Sequence, residues 1–202
     1  MSPDKASTTG VILAGGRARR MEGLDKGLIR LAERPLIEWA IEALAPQVDS
    51  ILISANRNLQ HYARYGYPVI GDLQSGFQGP LAGCLAAMLA ARTDWILTLP
   101  CDAPLAPTDL RARLGASLAA ENADLAIASD GHRRQSLHAL IRASLDADLR
   151  SFLDGTERKV GVWQNRHQLA VADFSDQPER FLNINTQADL AQLERWRAAD
   201  SG

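Results

Sequence analysis

The sequence predicts an α/β domain in three layers, with helices on both faces of a twisted, mainly parallel sheet. Two observations carry that expectation. Short apolar runs rich in β-branched residues alternate with helical patterns along the chain. One of these runs, residues 95–99, is almost continuously apolar, as a strand covered on both faces should be.

Strands are expected at 10–13, 50–54, 68–70, 95–99, 125–128, 137–141 and 181–184, and helices at 36–44, 81–91, 108–121, 145–153 and 187–198. Pro46 and Pro104 mark breaks, while Gly79-Pro80 opens a helix where proline is best tolerated. The final helix is signalled by Thr186 as cap, Asp189 three residues on, and a stripe of Leu190, Leu193 and Trp196. The polar stretch 129–134 suggests a hairpin-like turn between two strands. Residues 1–8 are expected to form a flexible tail and residues 9–202 one domain, with no internal repeat.

At 202 residues the chain is long enough to bury a proper core. Its 46% hydrophobic and 23% charged content is ordinary for a globular protein. A net charge of −2 offers no global attraction to nucleic acid or an anionic membrane. The longest apolar run, 81–91, has 11 residues, too few to span a bilayer. No leader peptide is expected, and two distant cysteines, Cys84 and Cys101, suit neither zinc nor a disulfide framework, so a reducing cytoplasm is the expectation. A local basic excess remains: Arg17, Arg19, Arg20, Lys26, Arg30 and Arg34 against Glu22, Asp25 and Glu33. That suits a small anionic ligand.

Three segments are rich in candidate chemistry. After the first strand comes Leu13-Ala14-Gly15-Gly16, followed by basic residues up to Lys26-Gly27. Paired glycines let backbone N–H groups approach phosphate, and cations neutralise it. The chain lacks any two glycines spaced two apart, which excludes the dinucleotide fingerprint, and Lys26 lacks the flanking residues of a P-loop. A plain basic surface loop is the alternative. The second segment is Pro100-Cys101-Asp102-Ala103-Pro104. Asp102 falls past the carboxyl end of a central strand, where open α/β sheets bind ligands, and a rigidly held carboxylate suits Mg²⁺. Its alternative is a simple turn aspartate. Third is Leu182-Asn183-Ile184-Asn185-Thr186, in which strand alternation puts both amides on one face, unless Asn185 merely caps the last helix. The four histidines (His61, His132, His138, His167) show no metal spacing.

Taken together these residues resemble the molybdenum cofactor guanylyltransferases, within the GT-A-like nucleotidyltransferase superfamily. Leu13 to Gly27 matches L-A-G-G-x-x-x-R-M-G-x-D-K-G, except that Glu22-Gly23 displaces the usual glycine by one. Pro100 to Pro104 matches P-C-D-x-P, Gly79 to Gly83 matches G-P-L-A-G, and Asn183 to Thr186 matches N-x-N-T. The resemblance implies a Rossmann-like nucleotide-diphospho-sugar transferase fold and transfer of GMP from GTP to molybdenum-molybdopterin, with Mg²⁺ as cofactor. It implies that Leu13, Ala14, Gly15 and Gly16 hold the nucleotide, that Arg20 and Lys26 meet the phosphates, that Asp72 contacts the nucleotide and that Asp102 binds the metal. Ser54 stands where relatives often carry asparagine, and Ser136 where the family's Q-P-L has proline. Gln135, His138, Asn183 and Asn185 would face the pterin, the two asparagines alternatively the metal. GTP and molybdenum-molybdopterin are the implied substrates, with transient contact to cofactor-synthesis proteins and recipient molybdoenzymes; a monomer is expected.

The competing readings are the sister CTP-dependent cytidylyltransferase, a sugar-phosphate nucleotidyltransferase, and a non-catalytic cofactor-delivery module. L-A-G-G in place of L-A-A-G favours guanine over cytosine. The chain length leaves no room for the added domain of many sugar-nucleotide enzymes, and Asp102 argues against a pure binder.

Overall fold

The computed structural model describes residues 3–14, 25–73 and 79–200, with backbone alone from 196. An interior strand of the sheet is β1 (Thr8–Leu13), whose Thr-Thr-Gly-Val-Ile-Leu run is buried almost end to end. It pairs in parallel with β4 (Ser50–Ser54) on one side and β6 (Trp95–Pro100) on the other. Beyond β4 lies β5 (Val69–Ile70); beyond β6 lie β8 (Arg134–Arg142), β7 (Leu125–Ser129) and β9 (Leu169–Asp173). Only β8 runs against its neighbours in this seven-stranded sheet. A separate two-stranded ribbon, β2 (Arg30–Leu31) with β3 (Arg34–Pro35), follows the first loop.

Successive strands step away from β1 through β4 and β5, and the chain then returns to the other flank of β1 as β6. The order therefore reverses between β1 and β6, which leaves a crevice at their carboxyl ends. One helical layer comprises α1 (Leu36–Leu44), α2 (Leu59–Ala63) and α4 (Leu110–Glu121). Its apolar residues, among them Ile37, Leu44, Tyr62 and Leu114, share a core with Ile12, Ile53 and Leu97 of the sheet. The opposite layer comprises α3 (Pro80–Ala90), α5 (Asp146–Asp154) and α6 (Val160–Gln164), where Leu81, Leu85, Phe152 and Trp163 meet Val11, Ile96 and Ile127. A third, small cluster joins Leu31, Leu36, Leu105, Ile184 and Leu193, the last from α7 (Gln187–Asp200).

Six of the seven expected strands and all five expected helices are present within a few residues of their predicted bounds. The seventh strand is a correction. Residues 181–184 are not a strand: a 3-10 turn, Pro178–Phe181, begins at a proline, and Leu182 N–H bonds back to the Glu179 carbonyl. Phe181 and Ile184 enter different apolar clusters while Leu182 stays exposed, so the side chains do not alternate. The sheet edge is instead β9, whose Leu-Ala-Val-Ala-Asp is short and weak in β-branched residues. From Pro3 the chain is tied down by Arg111 Nη1 donating to the Pro3 carbonyl at 2.6 Å and by a turn in which Ser7 N–H bonds Asp4 Oδ1 at 2.8 Å. The 129–134 hairpin is present, with Ser129 opposite Arg134. The last helix opens as expected: Asp189 N–H donates to Thr186 Oγ1, and Thr186 N–H to Asp189 Oδ2. Trp196 lies outside the described side chains.

The close approach of α1 to β1 depends on Gly10. A Cβ there would stand 2.6 Å from Leu44 Cδ2 and 3.0 Å from Val48 Cγ2. Gly10→Ala is therefore expected to destabilise the fold by about 1–3 kcal/mol through overpacking, read as a lower denaturation midpoint at unchanged slope. An unchanged midpoint would show that α1 yields freely.

Candidate active site

The carboxyl edge of the sheet collects the residues that the sequence singles out, in strand order. Asp72 follows β5, Ser54 ends β4, Leu13 ends β1 with Ala14 next to it, and Asp102 follows β6. The β1–β6 ladder continues one step past Pro100, where Cys101 N–H donates to the Leu13 carbonyl at 3.1 Å. Asp102 is thus held on a turn registered directly against the end of the central strand. Ala14 N–H donates to the Ser54 carbonyl at 2.8 Å, which ties the start of the first loop to β4. Gly15, Gly16 and Arg20 lie outside the described residues.

The chain re-enters at Asp25, and Lys26 opens a short 3-10 turn, Lys26–Leu28. Lys26 Nζ donates to Asp102 Oδ2 at 2.7 Å and to Asn185 Oδ1 at 2.6 Å. Three segments far apart in sequence therefore converge on one ammonium. The Lys26 and Asp102 side chains are only 19% and 17% exposed, so the pair is partly shielded from solvent screening. Asn185 reaches this point because it sits just before α7, with its own N–H held by Asp189 Oδ2 at 2.8 Å. It does not share a strand face with Asn183, whose Oδ1 is buried without a hydrogen-bond partner.

Beneath Lys26 is an anchor that sequence reasoning missed. The Asp25 carboxylate is buried, accepting from Tyr62 O–H at 2.5 Å, Asn58 Nδ2 at 2.9 Å and Gly27 N–H at 3.3 Å, with Arg57 Nε 3.5 Å away. Burial, ahead of the adjacent carboxylate, pushes the Tyr62 phenol far above its ordinary value, so it serves as a donor. The signal lay in the string S-A-N-R-N, but nothing local announces that Asn58 adopts a left-handed φ of 53° and opens the five-residue α2.

On the β4–β5 flank, Asn56 Nδ2 donates to Asp72 Oδ2 at 2.7 Å and Asn56 Oδ1 accepts from Asp72 N–H at 2.8 Å. Burial raises the Asp72 carboxyl above the usual carboxylate value despite that hydrogen bond. Ser54 is buried at the closest approach of α3. A Cβ on Gly83 would collide with Ser54 Oγ, which accounts for glycine in the G-P-L-A-G segment.

On the other flank, β8 bulges: Ile127 pairs with Ala139 but Ala128 pairs with Gln135. Thr98 Oγ1 and Gln164 Nε2 bind the bulge carbonyls of Leu137 and Ser136, each at 2.8 Å. Such bulges re-aim side chains beside functional sites. Gln135 is spent on Asp130 Oδ2 at 2.7 Å, which braces the hairpin turn. His138 is buried edge-on to Phe181, with ring centroids 4.9 Å apart and Nε2 unpartnered. Cys101, also buried, has its thiol pushed well above the ordinary value by desolvation and by Asp102, which disqualifies it as a nucleophile.

A row of polar groups along the carboxyl edge of a reversed α/β sheet, centred on a lysine–aspartate–asparagine contact, is the layout of a nucleotide-handling enzyme. A family model, the MobA-like NTP transferase domain, matches residues 10–178, and the chain belongs to that family of nucleotidyltransferases. It is 52% identical over 188 residues to the molybdenum cofactor guanylyltransferase of Shewanella halifaxensis, covering 93% of this chain and 94% of that one. The protein of the same name from Shewanella loihica is 50% identical, with 91% and 93% covered. Among solved structures, the molybdopterin-guanine dinucleotide biosynthesis protein A of Archaeoglobus fulgidus superposes with a TM-score of 0.79 at 24% identity, covering 95% of this chain and 99% of that one. A nucleotidyl transferase of Methanothermobacter gives 0.73 at 19% identity, covering 96% and 98%. At these identities the structures establish the fold. No helix among the described residues is long and apolar enough to cross a membrane.

Burial lowers the His138 pKa from 6.5 to about 3. The unfolded chain takes up this proton below pH 6.5 and the folded one does not, so the stability that His138 permits is complete above 6.5 and is lost as pH falls toward 3. The loss amounts to about 1.4 kcal/mol per pH unit. His138→Leu is expected to flatten this acid limb of unfolding free energy against pH. An identical slope in both proteins would contradict a neutral, buried imidazole.

Proposed function

We propose that the chain transfers GMP from GTP to molybdenum-molybdopterin, releasing pyrophosphate and forming the guanine dinucleotide form of the cofactor. The observation that carries this reading is the meeting of Lys26, Asp102 and Asn185 at the sheet's reversal point, in a chain about half identical to curated guanylyltransferases along nearly its full length. In this reading the nucleotide lies over the ends of β5, β4 and β1, against Asp72, Ser54, Leu13 and Ala14. The pterin lies toward β8, where the buried Oδ1 of Asn183 and Nε2 of His138 supply unspent hydrogen-bonding capacity.

The acceptor is itself a phosphate, already anionic, so attack on the α-phosphorus needs no general base. A phosphate oxygen of the pterin forms the new P–O bond as the bond between the α-phosphorus and the bridging oxygen breaks. What the protein must supply is alignment and charge neutralisation. Lys26 supplies a fixed positive charge for the phosphate oxygens, and Asp102 and Asn185 fix its direction. Both partners are hard oxygen donors already converging on a cationic centre, which fits Mg²⁺ carried by the triphosphate. Bound there, the ion would neutralise phosphate charge. Cys84 and Cys101 are free and buried, in keeping with a reducing cytoplasm.

Incubation with GTP, Mg²⁺ and molybdenum-loaded pterin should release pyrophosphate, with CTP and ATP competing poorly; equal use of CTP would transfer the assignment to the cytidylyltransferases. Asp102→Ala is expected to lower turnover roughly a hundredfold while leaving the melting temperature nearly unchanged. Lys26→Ala is expected to lower kcat by about one to three orders of magnitude with a smaller loss of GTP affinity. Lys26→Arg should recover only part of that, because a planar fork does not replace a compact ammonium. Unaltered turnover in Lys26→Ala would remove the lysine from the mechanism.

A further inference from the structure

We propose that Asp25, gripped by Tyr62 and Asn58, is the positioning residue for Lys26, and that α2 with its leading turn exists to hold it. This rests on Lys26 being the phosphate-facing cation. A surface lysine ordinarily samples many rotamers, and immobilising such a side chain costs entropy on each binding event unless the fold already holds it. Here the residues on both sides of Lys26 meet the same buried phenol. On one side Asp25 Oδ1 accepts from Tyr62 O–H at 2.5 Å, and its Oδ2 accepts from Asn58 Nδ2 at 2.9 Å. On the other, Gly27 stands against the Tyr62 phenol, so close that a Cβ would stand 2.5 Å from Tyr62 Oη and 3.2 Å from Cε1 and Cζ.

Stability alone does not explain this choice of residues. Asp25 is a buried carboxylate whose side chain is 3% exposed, with Arg57 Nε 3.5 Å away. A well-packed apolar group in such a place is often as stabilising as a buried ion pair or more so. Asn58 holds a left-handed φ of 53°, a strained conformation for a side-chain-bearing residue, and spends its amide on Asp25. A left-handed asparagine and a buried charge thus both serve the residue immediately before the lysine. From that rigid base Lys26 Nζ reaches Asp102 and Asn185, which lie on two other segments. A displacement of the base shifts the ammonium relative to both oxygens at once.

The experiment compares Tyr62→Phe, Asp25→Asn, Gly27→Ala and the double variant Gly27→Ala/Tyr62→Phe, each assayed for pyrophosphate release well below its melting temperature. Tyr62→Phe keeps the ring and removes one hydroxyl; kcat is expected to fall about tenfold or more, with KM for the pterin substrate unchanged. Asp25→Asn, which keeps the shape but weakens the grip, should show the same split. Gly27→Ala should be impaired by the clash with Tyr62 Oη, and the double variant should turn over faster than Gly27→Ala alone, because the clashing oxygen is gone. A merely structural cluster predicts lowered melting temperatures, wild-type kcat in the folded protein and additive effects. Wild-type kcat in Tyr62→Phe and Asp25→Asn, or no recovery in the double variant, alongside an impaired Lys26→Ala, overturns the positioning role alone. Wild-type turnover in Lys26→Ala overturns the reading of the lysine itself and the proposal with it.

Discussion

Lys26, Asp102 and Asn185 belong to segments separated by scores of residues, and an apolar cluster, not their mutual attraction, brings them together. Leu31 lies just past Lys26, Leu105 just past Asp102, and Ile184 just before Asn185; all three pack with Leu36 and Leu193. The Ile184 N–H also donates to the Asp102 carbonyl at 2.8 Å, so two of the three segments are joined by backbone as well. Magnitudes settle which effect leads. Burying one leucine or isoleucine contributes about 1.5–3 kcal/mol, whereas a partly exposed ion pair contributes about 0–1. The five residues of the cluster therefore outweigh the lysine–aspartate contact several times over. Position comes from packing, and the polar groups are free to serve chemistry.

The main sheet plays a different part. Its parallel strands share one direction, so their carboxyl ends form a continuous edge, and the reversal of order beside β1 opens that edge between Ala14 and Asp102. The single antiparallel strand, β8, carries its bulge at the same level. It thus lends main-chain carbonyls and the His138 ring to the edge without a loop of its own. Rigid elements hold each flank.

Much of this was legible in the sequence because the signals were local. Residues 95–99 announced a doubly covered strand by unbroken apolarity, Thr186 and Asp189 announced a helix start, and Pro100 to Pro104 announced a turn at a strand end. What could not be read depended on tertiary context. The β2–β3 ribbon turns on Ala32 and Glu33, both at positive φ, where asparagine and glycine would have been expected. The strand β9 is too short and alanine-rich to outcompete 181–184 on propensity, and the latter was misjudged because its apolar residues serve two different clusters. Asp25 looked like one more loop charge. Only the fold shows it buried under Tyr62, 37 positions further along. Asn183 and Asn185 share no strand face, because the segment that carries them is not a strand.

The capping of α7 ties two obligations to one carboxylate. Asp189 Oδ2 holds the N–H groups of both Thr186 and Asn185, so the group that starts the helix also orients the amide facing Lys26. Those hydrogen bonds, ahead of other influences, hold the Asp189 carboxyl below its usual range despite the opposing effect of burial. The two ends of this helix are consequently unequal in what they can tolerate. Unwinding from the far end removes turns beyond Leu193 and leaves the amide where it is, whereas loosening of the first turn reaches the Lys26 contact before it reaches the core. Extensions, fusions or natural variation therefore find a permissive end and an intolerant one within a single helix of 14 residues.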